Sequence, residues 1–276
     1  MILVGVDGSR AGLEAVGWAA REAVLREAPL TVAHVIPRWV YETKTERYAE
    51  VAAWMREGGR TVLAAAEERA RRDHSEIGLR TTLLPGDPRA ALIGAAQGAE
   101  LLVVGSHGLG GVRGMLVGSV AYGVTGHAPC DVVVVREHLS PQRGEIVAGA
   151  DGSSASSGVL EFAFAEARMR GIRLRVVHAQ AYLWPHGFDP ADHGEGYDDL
   201  LTARRKLAAR YPDVSVVEDV VHGHPAEVLR QASYGADLLV VGSHGHGTFA
   251  GMVLGSVSHA LLHHAPCPLA VVRRTG

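Results

Sequence analysis

The chain has 276 residues, 47% hydrophobic and 21% charged, with a formal net charge of -3. This composition excludes a disordered or fibrous protein, and the length suits two domains. The near balance of charge gives no electrostatic case for nucleic acid or an anionic membrane surface as partner.

In chain order, short apolar runs at 2–6, 30–36, 79–84, 100–104 and 131–136 alternate with Ala- and Glu/Arg-rich stretches at 11–28, 58–73 and 89–98. The stretch 137–144 is polar, contains Pro141 and Gly144, and reads as a linker. The alternation then resumes, with runs at 145–150, 173–179, 214–221, 237–241 and 268–273 and helical patterns at 154–170, 199–210 and 226–235. Runs such as Leu101-Leu102-Val103-Val104 and Val132-Val133-Val134-Val135 are continuous rather than alternating, as expected of parallel strands buried on both faces. The stretches between them suit amphipathic crossover helices. Strand and helix in turn predict open, doubly wound α/β sheets.

The chain repeats itself. AELLVVGSHG at 99–108 returns as ADLLVVGSHG at 236–245, GMLVGSV at 114–120 as GMVLGSV at 251–257, and HAPC at 127–130 as HAPC at 264–267. Near the start of each half, Gly5-Val6-Asp7-Gly8-Ser9 falls on Gly149-Ala150-Asp151-Gly152-Ser153, and His34 on His178. So long a period means two copies of one domain, not a solenoid, and the expected domains are 1–137 and 145–276. The first copy is longer between these blocks, and 37–57, with Trp39, Tyr41, Tyr48 and Trp54, is a candidate lid, dimer surface or plain packed helix. Cys130 and Cys267 occupy matching places, too few for a disulfide framework and too isolated for a zinc site. No run approaches the roughly 18 apolar residues of a membrane span. The start Met1-Ile2-Leu3-Val4 lacks the pattern of a signal peptide, so a cytoplasmic location is expected.

In open parallel sheets ligands bind beyond the carboxyl ends of the strands. There the chain places Asp7-Gly8-Ser9 and Asp151-Gly152-Ser153, then Gly105-Ser106-His107-Gly108 and Gly242-Ser243-His244-Gly245. Gly118-Ser119 and Gly255-Ser256 follow and open helical segments at roughly 118–127 and 255–264. Glycines allow close approach of backbone, and a helix start offers unpaired amides and the positive end of the dipole. Ser119 and Ser256 add hydroxyls that can donate to a ligand or cap the helix. Together these can cradle a polyphosphate largely with main chain. Asp7 and Asp151 can accept from ribose hydroxyls or hold Mg²⁺; the alternative is an Asx-turn aspartate. Lys44 and Lys206 are the only lysines and no Gly-Lys dipeptide exists, which excludes a Walker A loop. There is no G-x-S-x-G elbow either.

The spacing G-x2-G-x9-G-S, present in both halves, resembles the ATP-binding branch of the universal stress protein family, over 1–136 and 145–276. The resemblance implies two tandem five-stranded parallel sheets of order 3-2-1-4-5, adenine nucleotide alpha-hydrolase-like in fold. It implies phosphate contacts at Gly105, Gly108, Gly118, Ser119 and Val120, and at Gly242, Gly245, Gly255, Ser256 and Val257. Asp7 and Asp151 would lie near ribose, and the main chain at Val35 and Ala179 near adenine. Gly5, Val6, Gly149 and Ala150 at the strand ends, with His107 and His244 in the loops, are further candidate contacts.

Arg113 lies in the nine-residue loop of the first copy, where the second has Ala250, and can pair with phosphate oxygens. Tighter or more salt-sensitive binding is therefore expected in the first domain. The resemblance further implies ATP as ligand with Mg²⁺, a nucleotide-dependent regulator of a stress or dormancy response, an unidentified regulatory protein partner, and an internal pseudo-dimer through the last strands. A homodimer of whole chains stays open. No residue is assigned a catalytic role; the alternative is a slow Mg-dependent ATPase or nucleotidyl-transfer enzyme. His34 and His178 read as hydrogen-bonded residues at strand ends. The close histidine pairs 222/224, 244/246 and 263/264 lack the helical spacing of a zinc enzyme.

Overall fold

The computed structural model describes residues 1–42, 46–108, 117–136, 143–180, 196–245 and 253–273. By its internal contacts the chain divides into two units, Met1–Glu137 and His138–Gly276.

The first unit runs β1 (Ile2–Val6), α1 (Arg10–Leu25), β2 (Leu30–Ile36), α2 (Trp39–Glu42), α3 (Glu46–Asp73), β3 (Leu79–Pro85), α4 (Pro88–Ala95), β4 (Leu101–Gly105), α5 (Ser119–His127) and β5 (Asp131–Val135). Its strands lie in the order β3-β2-β1-β4-β5, all paired in parallel. The second runs β6 (Glu145–Gly149), α6 (Ser156–Arg170), β7 (Arg173–Gln180), α7 (Tyr197–Arg210), β8 (Val216–His222), α8 (Pro225–Ala232), β9 (Leu238–Gly242), α9 (Ser256–His264) and β10 (Leu269–Val272). Its order is β10-β9-β6-β7-β8, again parallel. Each unit is thus an open doubly wound sheet of order 3-2-1-4-5.

The continuous apolar runs are the central strands. Ile2, Val4, Leu101, Leu102 and Val103 are fully buried, as are Ile146, Val147, Leu238 and Leu239, because helices cover both faces. No residue of β3 or β8 is fully buried, as befits strands paired on one side. One buried charge repeats at the same helical place in each unit. Glu22 is paired with Arg26 on α1 at 2.5 Å, and Glu166 with Arg170 on α6. Both carboxylates are fully buried and need those arginines one turn away.

The stretch 37–57 resolves, where described, into α2 and the first turns of α3. Val40 and Ala52 are buried in a small cluster with Ile36, against which Met55 and Leu83 pack, while Trp39, Tyr41 and Trp54 remain exposed. The packed-helix alternative therefore describes its backbone. Helix α3 runs straight through Gly58-Gly59 although each glycine weakens a helix by about 1 kcal/mol relative to alanine. Gly59 has a steric reason: a Cβ there would fall within 3.0 Å of the Leu83 side chain.

Candidate functional site

The parallel sheet brings three loops of each unit to one end: that after the first strand, that after the fourth, and the start of the helix that follows it. In the first loop, Gly8 and Gly152 have φ of +85° and +81°, a left-handed conformation that favours glycine. The aspartates beside them are fixed by their own turn: Asp7 Oδ1 accepts from the Ser9 amide at 3.0 Å and Asp151 Oδ1 from the Ser153 amide at 3.0 Å. The Asx-turn reading of these residues therefore holds. The other oxygen of each carboxylate faces the second loop. A Cβ on Gly108 would fall within 3.0 Å of Asp7 Oδ2, and one on Gly245 within 3.0 Å of Asp151 Oδ2. Aspartate and second-loop glycine are thus a fitted pair in both units.

The candidate glycines separate by what a side chain would meet. Gly5 and Gly149 make room for Leu92 and Leu229, and Gly105 for the backbone of Ala11 and Gly12 at the start of α1. Packing alone explains these three. Gly242, the counterpart of Gly105, would meet the His244 carbonyl at 3.0 Å, a tighter fit than ordinary contact.

Gly118 and Gly255 are different. Their φ/ψ of -61°/148° and -63°/155° suit any residue. A Cβ on Gly118 would meet nothing closer than 3.6 Å, and one on Gly255 nothing closer than 3.4 Å. Each is the N-cap of its helix, where Ser, Thr, Asp or Asn is preferred, and neither helix has a side-chain cap. Each glycine amide is spent on the preceding loop, Gly118 N donating to Ser106 O and Gly255 N to Ser243 O, both at 2.8 Å. Ser119 and Ser256 are the first helical residues, not the caps, which corrects the capping alternative; Val120 and Val257 follow. Both helices therefore present amides with the positive end of the dipole, beneath a bare Cα.

Val6 and Ala150 bring carbonyls that hold the second-strand histidines: His34 Nδ1 bonds Val6 O at 2.8 Å and His178 Nδ1 bonds Ala150 O at 3.0 Å. The next residues are Val35 and Ala179. Successive peptide groups of a strand point to opposite edges. Ile36 O and Gln180 O accept from Gly86 N and Gly223 N just beyond the third strands, so Val35 and Ala179 turn theirs toward the first strands. There β1 pairs only as far as Val6–His34 and β6 only as far as Gly149–Val177. His107 and His244 are held through Nδ1 to the buried hydroxyls of Ser106 at 2.8 Å and Ser243 at 3.2 Å. Arg113 and Ala250 lie outside the described residues.

Sequence reasoning missed several residues. Ser156 Oγ in the second unit donates to Asp151 Oδ1 at 2.9 Å and accepts from the Asp151 and Gly152 amides at 3.1 and 3.0 Å. Ser153 Oγ, buried beside it, has no hydrogen-bond partner among the described residues, an orphan donor in the very loop in question. The run Ser153-Ser154-Ala155-Ser156-Ser157 was visible but gave no sign which hydroxyl did what. His259 and His263 do stand one helical turn apart on α9, ring centroids 5.0 Å apart. Among the described residues, however, no group of three or more His, Cys, Asp or Glu is arranged to hold a metal. Mg²⁺ usually takes one or two carboxylates and completes its shell with phosphate and water. One aspartate per unit fits such an ion only in company with a polyphosphate.

The profile described as the Universal stress protein family matches residues 1–136 and 143–273. The universal stress proteins Rv2005c and Rv2623 of Mycobacterium tuberculosis are each 35% identical to this chain, over 99% of it and 97% and 96% of their own lengths. A universal stress protein of Archaeoglobus fulgidus, known from its crystal structure, is 20% identical and superposes with a TM-score of 0.77, covering 99% of this chain and 98% of its own. The fold is accordingly adenine nucleotide alpha-hydrolase-like. Among the described residues no helix is long and apolar enough to cross a membrane.

Proposed function

Since the chain belongs to the universal stress protein family, we propose that each unit binds an adenine nucleotide, ATP with Mg²⁺, and that occupancy regulates an interaction with a protein partner in a stress or dormancy response. One observation carries the reading. At Gly118 and Gly255 the fold tolerates a side chain and the helix would profit from a capping one, yet both positions are bare. A ligand that needs the amides of Ser119-Val120 and Ser256-Val257 accounts for both facts. The orphan hydroxyl of Ser153 in the second unit supports it. In this reading Asp7 and Asp151 meet ribose or a phosphate-bound Mg²⁺, and Val35 and Ala179 offer main-chain groups to the base. The second loop glycines serve by keeping the aspartates in place. Arg113 adds phosphate contact to the first unit alone.

Titration calorimetry with Mg-ATP tests this. Two equivalents are expected to bind per chain, none to a Gly118→Val/Gly255→Val double variant that keeps its far-UV spectrum. A wild-type protein that gives no heat with Mg-ATP or Mg-ADP, and releases no nucleotide on denaturation, would discard the proposal.

A further inference from the structure

The second unit has an aromatic side chain where the first has backbone. Helix α7 opens with Tyr197, directly after Gly196. Gly196 and Gly152 both have positive φ, +83° and +81°, and sit back to back, so that a Cβ on Gly152 would run into the Gly196 carbonyl. This contact locks the start of α7 to the loop that carries Asp151. Tyr197 is tethered at both ends. Its ring lies 5.3 Å from that of His178, inclined at 45°, and its hydroxyl donates to Glu218 Oε1 at 2.9 Å. Arg204 Nε in turn stands 3.0 Å from Glu218 Oε2. The ring is only partly buried. Burial and the Glu218 carboxylate hold the phenol above its ordinary pKa, so it stays neutral and donating. In the first unit the space beside His34 belongs to Gly59: a Cβ there would stand 3.2 Å from His34 Cδ2.

We infer that Tyr197 is the base-recognising wall of the second site, a preorganised platform on which an aromatic nucleobase stacks, and that the two sites therefore differ in how they hold one ligand. This rests on the nucleotide reading above. Tyr197 touches His178, whose Nδ1 bonds the carbonyl next to Asp151, and Ala179, whose peptide turns toward the end of β6, follows immediately. The hydroxyl proton is committed to Glu218, so the ring offers the base its face rather than a donor. The second site then relies on the base, and the first on its phosphate end.

The test uses full-length chains with binding confined to one unit: Gly118→Val leaves the second site, Gly255→Val the first. Each is titrated with Mg-ATP and with tripolyphosphate. In the Gly118→Val background, Tyr197→Ala is expected to weaken ATP about tenfold, as loss of a stacking platform does. Tripolyphosphate should hold within about twofold and Tyr197→Phe should keep ATP affinity within about threefold, since the ring face remains. In the Gly255→Val background Tyr197→Ala should change nothing. ATP affinity unmoved by Tyr197→Ala, or lost equally in the Phe variant, overturns the platform while leaving nucleotide binding intact. An equal loss of tripolyphosphate shows a merely structural tyrosine and also overturns it. If neither single-site chain binds ATP, the nucleotide reading falls and the platform with it.

Discussion

In the first unit Ser9 serves its helix: its hydroxyl accepts from Gly12 N at 3.1 Å, capping α1, and lies 3.3 Å from His107 O, tying the cap to the second loop. In the second unit the counterpart Ser153 makes neither contact, α6 starts without a side-chain cap, and Ser156 from the helix itself clamps Asp151. Near the second-strand histidine the contrast repeats, with the backbone of Gly59 in one unit and the ring of Tyr197 in the other. What does not vary is the uncapped helix start and the glycine facing the aspartate. Among the features that both copies keep, some answer to packing, as Gly5 and Gly149 do against Leu92 and Leu229, whereas the bare Gly118 and Gly255 are not required by the fold. This separates ligand-driven from packing-driven conservation of geometry inside a single chain.

The largest expected effect sharpens that separation. Gly118→Ala should leave thermal stability within about 3 °C, because its methyl group meets only ordinary contacts and the poorer cap is offset by a stiffer unfolded chain. It should nevertheless weaken nucleotide binding in the first unit about thirtyfold, the scale of a binding hot spot. Gly105→Ala should do the reverse, costing about 2 kcal/mol in a urea melt by overpacking against Ala11. Equal effects of both on stability would erase the distinction. Next, Arg113→Ala should weaken the first site about tenfold and flatten its salt dependence, while the second site stays unchanged. Unaltered affinity at the first site would remove the charge from the account.

Smaller effects follow from the serines. Ser9→Ala should cost about 1 kcal/mol of stability through α1. Ser156→Ala should cost about 1 kcal/mol through the turn at Asp151 and loosen Mg-ATP at the second site only. The smallest contrast is electrostatic. Hydrogen bonds from Arg230 and Gln231 depress the Glu227 carboxyl on α8 from 4.5 to about 2. A depressed carboxyl stabilises the fold above its unfolded value and loses that contribution as pH falls through the folded one. Glu227 is exposed, so the effect is slight. Thermal melts of wild type and Glu227→Gln should differ at pH 6 and converge as pH drops below about 4, where the unfolded carboxyl is protonated. A constant difference would contradict it.

The repeat and the strand positions were legible because parallel strands buried on both faces leave unbroken apolar runs, and Leu101–Gly105 or Asp131–Val135 admit little else, whereas the sheet order came only from the family resemblance. The site was legible as a set of loops but not as roles. Sequence cannot tell Gly105, bare because a helix backbone lies against it, from Gly118, bare although nothing in the fold presses on it. Ser119 looked like a cap because serine before a helix usually is one, and only the geometry puts it one residue inside. The expected helical stretch at 58–73 caught only the later turns of α3, which starts at Glu46, and left the earlier ones inside the 37–57 insertion. Tyr197 had no counterpart in the first half, so the repeat that exposed everything else concealed it.

The central claim concerns main-chain amides, and amide chemical shifts report on them directly. On titrating isotope-labelled protein with Mg-ATP, the amide protons of Ser119, Val120, Ser256 and Val257 should move downfield to saturation, as donors to phosphate do, with Gly105 and Gly149 little changed. Saturating ATP that leaves those four resonances in place would contradict the account.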